Sequence, residues 1–258
     1  MLNVVSRKSA GGTAPPLVFV HGACSSAAFW EAHYLDWFAA RGLSSYALDL
    51  RGHGHSDGHD RLQTCGIRDY VEDVRQVVGG LESAPVLIGH SMGGLVVQKY
   101  LEQGPARAAV LLASCPVGGM MRDGLRLLSR HPMVFGRAAA QKRLRLIYSS
   151  EEQVRALLFT PATPAEIVRD CMRQLGEESW RACREMNFLL PHPGRVVVPV
   201  LVLGGELDNM VSAASVRRTA AAYGAPCVMF PHMAHMLNLE PGWDEVAATI
   251  LSWINELR

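Results

Sequence analysis

The stretch Ala84-Pro-Val-Leu-Ile-Gly-His-Ser-Met-Gly-Gly-Leu-Val-Val-Gln-Lys-Tyr100 narrows the possible folds more than any other part of the chain. Val86 to Ile88 is a short, wholly apolar run, the pattern of a strand buried on both faces. Leu95, Val96, Tyr100 and Leu101 then recur at helical spacing. Only Gly89-His-Ser-Met-Gly-Gly94 lies between the two, so the turn is sharp and its tip is strained. The flanking glycines remove the Cβ atoms that would block such a turn. Ser91 at the tip projects its hydroxyl outward, and the helix N-terminus behind it offers N–H groups without intrahelical partners.

A strand buried on both faces requires further strands beside it and a helical layer above and below. The sequence supplies both. Leu17–Val20, Ser45–Leu50, Ala108–Ala113, Val196–Leu203 and Pro226–Phe230 read as apolar strands, and Leu2 to Val5 as an added edge strand. Phe29–Arg41, Ile67–Leu81, Val211–Tyr223 and Trp243–Ile254 read as amphipathic helices, the first closed by Gly42. Strands alternating with helices place the chain in the α/β class, with a mostly parallel central sheet covered by helices on both faces.

Residues 116–195 break the alternation. They contain no strand-like run and four helix-like ones: Met121–His131, Glu151–Phe159, Pro164–Leu175 and Trp180–Leu189. The expected organisation is a core of residues 1–115 and 196–258 carrying an all-α cap of residues 116–195. The cap holds thirteen basic residues against eight acidic ones, an excess of five, in a chain whose net charge is only +1. An Arg-rich solvated surface accounts for this, and so would attraction of an anionic substrate or carrier.

The bulk numbers set wide limits. A chain of 258 residues, 49% hydrophobic and 19% charged, is long enough for a large core. Its near-zero net charge gives no reason to expect nucleic acid as a partner. No uncharged apolar run reaches 18 residues, so no transmembrane segment is expected. The first ten residues lack a signal-peptide core, and the expected location is the cytoplasm. Six scattered cysteines with no C-x-x-C pair read as reduced thiols, and neither His53 nor His55 shows zinc spacing, so no metal is expected.

A serine hydroxyl becomes a nucleophile at neutral pH only beside a base that is itself oriented by an acid. Both follow the serine at strand ends. Leu201-Val-Leu-Gly-Gly-Glu-Leu-Asp208 offers Glu206 or Asp208, and Phe230-Pro-His-Met-Ala-His235 offers His232 or His235. The residues alone leave both choices open.

Five pieces in order resemble the α/β-hydrolase superfamily over nearly the whole chain, in its serine esterase, monoacylglycerol-lipase or lysophospholipase-like branch with a helical cap. They are His21-Gly22 after a strand, Asp49-Leu-Arg-Gly-His-Gly-His-Ser56, Gly89-His-Ser-Met-Gly-Gly94, Gly204-Gly-Glu-Leu-Asp208 and His235-Met-Leu-Asn-Leu-Glu240. The resemblance implies Ser91 as nucleophile, Asp208 as acid and His235 as base, with His232 left at the rim. It also implies an oxyanion hole from the N–H groups of Met92 and Ala23, with Cys24 as the next candidate after Ala23. His90 is expected to face away and support the turn, and the Asp49–Ser56 loop to be structural. Ala234 departs from the glycine frequent at that position.

A serine at this turn suits attack on an acyl carbon, not the aspartate chemistry of haloalkane dehalogenases or epoxide hydrolases. The expected activity is hydrolysis of a small-molecule apolar ester without cofactor. Cys24, Met120, Met121, Phe135 and Phe159 are the residues expected at the substrate. Thioester hydrolysis or acyl transfer from coenzyme A or a carrier, carbon–carbon hydrolysis, and ligand binding without turnover are the alternatives.

Overall fold

The computed structural model describes residues 1–9 and 14–257. In chain order it contains β1 (Val4–Arg7), β2 (Leu17–Val20), α1 (Ala28–Glu31), α2 (Tyr34–Ala39) and β3 (Ser45–Leu48). There follow α3 (Ile67–Gly79), β4 (Val86–His90), α4 (Met92–Leu101) and β5 (Ala108–Leu112). A helical stretch comes next: α5 (Met121–Arg130), α6 (Pro132–Gln141), α7 (Glu151–Leu158), α8 (Ala165–Gln174) and α9 (Trp180–Phe188). The chain then returns to the sheet with β6 (Val200–Gly205), α10 (Ala213–Tyr223), β7 (Cys227–Phe230) and α11 (Trp243–Glu256).

The seven strands form one sheet in the order β1-β3-β2-β4-β5-β6-β7. Only β1 runs antiparallel, pairing Val4 with Leu48 at the edge. Strand β2 has β3 on one side and β4 on the other, so the connections leave their C-terminal ends in opposite directions. A crevice opens at such a switch point, and ligands of parallel α/β sheets bind there. Val20 lies opposite Gly89 and His90 opposite Leu112, which brings the loop after β2 beside the turn at Ser91.

Both faces of the sheet are covered. Val18 and Val20 point into a layer with Tyr70, Val74 and Val96 from α3 and α4. Leu17 and Phe19 point into the opposite layer with Trp30, Tyr34 and Phe38. Phe19 and Trp30 rings sit 4.9 Å apart. Residues that alternate between two dry layers explain why β2 carries no polar side chain. A third apolar cluster, with Leu127, Ile147, Leu157 and Val168, lies in the helical stretch after β5.

Several boundaries differ from the sequence expectations. The expected strand from Val196 begins only at Val200, because Pro199 has no N–H for the ladder and Val197 is exposed. The expected helix Phe29–Arg41 is two short helices separated at His33, whose ring stacks on Trp243 at 4.5 Å. The edge strand is shifted to Val4–Arg7. Between β5 and β6 the structure adds α6, which the sequence reading missed. Proline at the first position starts a helix, since its absent N–H is not needed there. A 3-10 turn, Leu144–Tyr148, was also missed.

Three buried carboxylates, Asp123, Glu178 and Glu240, and the half-buried Glu185 fasten this helical stretch to the helices and loops that flank the sheet. Asp123 of α5 accepts from Ser212 N (3.2 Å) and Ser215 Oγ (2.7 Å). Glu185 of α9 accepts from Ile67 N at 2.7 Å. Glu178 accepts from Tyr70 Oη (2.7 Å) and Ser179 N (2.7 Å). In the other direction, Glu240 accepts from Thr160 N (2.6 Å) and Thr163 Oγ1 (2.8 Å). An ionised carboxylate taken out of water is tolerated where several donors replace the lost hydration.

Candidate active site

Ser91 sits between β4 and α4 with φ +53° and ψ −119°. Its N–H donates to Leu112 O (3.0 Å), and its carbonyl accepts from Gly94 N and Cys115 N. The turn is therefore held from β5 and from its own helix. A Cβ at Gly89 would come within 2.6 Å of Gly93 O, and one at Gly93 would strike the carbonyl oxygens of Val20 and His21. Glycine at both positions is a steric requirement of the turn. Two other non-glycine residues with positive φ also lie just after strands, Cys24 at +61° after β2 and Ala113 at +43° after β5. Strain of this kind gathers at functional sites, where the surroundings over-determine the backbone.

The loops after β6 and β7 carry the partners. Ser91 Oγ–H donates to His235 Nε2 at 3.1 Å. His235 Nδ1–H donates to Asp208 Oδ2 at 2.9 Å. The other Asp208 oxygen accepts from Met210 N (2.7 Å) and Val211 N (2.9 Å). Asp208 and His235 are buried while Ser91 remains partly open. The competing residues are elsewhere: Glu206 pairs with Arg217 at the surface and His232 is exposed.

The His235 loop is supported on three sides. His235 N and Met236 N donate to Leu158 O at the end of α7. Ala234 N donates to Glu240 Oε2 at 2.6 Å. His90 Nε2–H donates to His235 O at 3.0 Å. Burial, reinforced by the nearby His235, lowers the His90 pKa to about 3, so its ring stays neutral and serves as a prop.

On the other flank, the loop His21–Ser25 passes beside Ser91. His21 Nδ1–H donates to Gly22 O (2.8 Å), and His21 Nε2 accepts from Leu50 N (3.1 Å). Burial, then the neighbouring His53, lowers the His21 pKa to about 4, which keeps the tautomer that both bonds need. The amides of Ala23 and Met92 meet no acceptor among the described residues. Unbonded N–H groups in the loops beside a nucleophile are the kind of donor that can meet developing negative charge. The Cys24 amide does not share this property, since it donates to Glu178 Oε2 at 3.3 Å.

Ser91 and His235 open into a largely apolar cavity of about 320 Å³. Its lining joins Ala23 and Phe29 of the sheet side to Met120, Met121, Leu125 and Phe135 of the helical stretch. Among the expected substrate residues, Ala23's neighbour Cys24 and Phe159 do not line it. The Cys24 side chain is packed away with Phe29 and Tyr148. Phe159 faces a separate hollow beside Asp208 and Asn209, and Leu158 takes the expected place in the cavity. Among the described residues that line the cavity there is no Arg or Lys.

The arginines of the helical stretch are largely occupied. Arg145 donates to Leu175 O (2.9 Å), Met172 O (3.1 Å) and Tyr148 O (2.5 Å), and Arg143 and Arg181 pair with Glu177 and Glu185. Glu178, which no motif of the sequence singled out, and Glu240, which closes the His235–Glu240 motif without an assigned role, prove to be polar groups that bind this stretch to the site. The extent of that motif was the hint for Glu240.

A model of the alpha/beta hydrolase family matches residues 17–249. A monoacylglycerol lipase of Mycolicibacterium smegmatis is 28% identical over 251 residues, covering 92% of this chain and 87% of that protein. Among solved structures, a monoacylglycerol lipase from Paleococcus ferrophilus superposes with a TM-score of 0.76 at 21% identity, covering 100% of both chains. An esterase from Exiguobacterium antarcticum gives 0.77 at 16% identity, with 98% of this chain and 95% of that one covered. No helix among the described residues is long and apolar enough to cross a membrane.

Proposed function

Since the chain belongs to the alpha/beta hydrolase family, we propose that it is a serine hydrolase cleaving carboxylic esters of small to medium apolar acyl groups. The observation that carries this reading is the relay Ser91 Oγ, His235, Asp208, at 3.1 and 2.9 Å, opening into an apolar cavity. His235 Nε2 takes the proton as Ser91 Oγ attacks the acyl carbon. Asp208 holds the imidazole in the tautomer that can do so and stabilises the imidazolium. The carbonyl oxygen, now negative, settles between the Met92 and Ala23 amides, each worth roughly 3 kcal/mol at the transition state. His235 returns its proton to the leaving alcohol. Water then repeats the sequence on the acyl-enzyme and releases the acid.

The uncharged lining favours neutral oxygen esters over acyl groups carried on an anionic cofactor, which would need positive charge near the mouth. The helical stretch 116–195 serves as the cap that closes and sizes the acyl pocket. The test is hydrolysis of p-nitrophenyl esters from two to sixteen carbons, with acyl-coenzyme A thioesters alongside. Turnover on oxygen esters, lost about 10⁴-fold or more in Ser91→Ala, is the expected result. Turnover on thioesters alone, or activity that survives Ser91→Ala, would overturn it.

A further inference from the structure

One contact between the helical stretch and the sheet differs in kind from the others. Asp123 and Glu185 fasten helices to Ser212, Ser215 and Ile67, none of which lines the cavity at Ser91. Glu178 reaches the loop that carries Ala23. Its carboxylate is fully buried. One oxygen accepts from Tyr70 Oη and Ser179 N, both at 2.7 Å. The other accepts from His53 Nε2–H (3.0 Å) and Cys24 N (3.3 Å). The Cys24 peptide is gripped at its other end too, because Gly176 N donates to Cys24 O at 2.7 Å. Residues 176–178 therefore hold both polar groups of the one loop residue with positive φ, immediately after Ala23.

We propose that Glu178 is a positioning residue for the oxyanion hole: by holding the Cys24 amide it fixes the Ala23 amide toward the acyl oxygen. This rests on the ester-hydrolase reading of Ser91. The physical argument concerns a choice between acceptors. A left-handed residue next to an open anion site has a cheaper alternative, which is to relax and turn its own N–H into the cavity. Glu178 removes that alternative by offering Cys24 a charged acceptor on the far side. Of the two neighbours Ala23 and Cys24, Ala23 is then the one whose amide is left for substrate.

The carboxylate is suited to this because its surroundings keep it ionised. His53 donates from both ring nitrogens, to Arg51 O (3.1 Å) and to Glu178, as an imidazolium does. Burial alone would discharge both partners. For Glu178 it is outweighed by His53 and the hydrogen bonds of Tyr70 and Ser179, and for His53 by Glu178 and the Arg51 carbonyl, so the acid is held below and the imidazole above its ordinary range.

The test uses the full chain and compares Glu178→Ala with Glu185→Ala, which cuts a less buried tie from α9 to α3 and makes no bond to the His21–Ser25 loop. Rates are normalised to Ser91 titrated with a fluorophosphonate. We expect Glu178→Ala to lose kcat on the order of 10–100-fold with KM within about threefold. Affinity for an alkyl boronic acid, which mimics the tetrahedral oxyanion, should fall by the same factor, while affinity for the alcohol product stays unchanged. Glu185→Ala should lower Tm and leave kcat per titrated site as it was. Should Glu178→Ala fail to fold, Glu178→Asp gives the same reading, since it keeps the charge but draws the carboxylate back from Cys24. A folded Glu178 variant with native kcat and boronate affinity would overturn the proposal while leaving the hydrolase reading intact. A native protein inert on every ester would overturn both.

Discussion

The floor and the roof of the cavity are built by different physics. The floor hangs from strand ends whose relative positions the sheet ladder fixes: His90 opposite Leu112, Gly205 opposite Phe230. The side chains of Ser91, His235 and Asp208 are each paired there, within 3.1 Å of one another, and the Ala23 and Met92 amides are left without an acceptor. The roof rides on α5 and α6, is tied down by a few buried carboxylates, and presents apolar side chains that are half in water. Leu125 lines the cavity and is 60% exposed, and Met121 is 50% exposed. Under the proposed function, the contrast makes rate and selectivity separable. Damage to the floor should slow every substrate alike, whereas change in the roof should alter which substrate is preferred.

The strongest way to break that division is Asp208→Asn. The new amide oxygen can still accept from Met210 N and Val211 N, so the loop should stay in place. The amide nitrogen, however, meets His235 Nδ1 as a donor and forces the proton onto Nε2, where it cannot accept from Ser91. We expect kcat to fall about 10⁴-fold, by the same factor on short and long esters, with little change in Tm. Losses that depend on chain length would mean that the floor also selects.

A second change strikes the joint between the two regions. Glu240→Ala leaves Thr160 N, Thr163 Oγ1 and Ala234 N buried without their acceptor. Unpaired buried donors cost about 1–3 kcal/mol each, partly recovered by rearrangement, so a loss of about 3 kcal/mol in denaturant unfolding is expected. Because Ala234 precedes His235, kcat should fall about tenfold on all esters. A shift in chain-length preference with an unchanged rate on the best ester would place Glu240 in the roof instead.

The same division governs what could be read from the sequence. The floor was legible because its signals are local or ordered along the chain. Gly89 and Gly93 report a backbone clash directly, and Asp208 and His235 follow strand-like runs in the order the chemistry needs. The roof was not. Leu158 is the last residue of α7, and Phe159 just beyond it has extended backbone (φ −129°, ψ 164°), so the two side chains leave the chain in different directions. Naming the wrong one required no error of composition, only ignorance of where α7 ends. Helix α6 is hidden because a proline can stop a helix as well as start one, as Pro132 does, and Gly136 with the alanines blurs the apolar period. Nothing in the sequence distinguishes Glu178 from a surface acid, and the motif that ends at Glu240 does not say what Glu240 holds. A buried carboxylate has no sequence signature, since its donors come from residues as far away as Cys24 and Thr160.

The smallest effect is also the most specific to the roof. Phe135 of α6 lines the cavity and is only partly buried in the fold. Phe135→Ala should therefore cost little stability and open space at the acyl pocket. Each additional methylene that gains a dry site contributes about 0.8 kcal/mol, close to a fourfold change in kcat/KM. The ester series should shift its optimum toward longer chains by one or two methylene steps, with kcat on the two-carbon ester unchanged. That pattern would place selectivity in the roof and keep it apart from the relay beneath. A uniform fall across the series would instead mean that Phe135 braces the floor. The cap would then act as part of the catalytic frame rather than as a gauge of chain length.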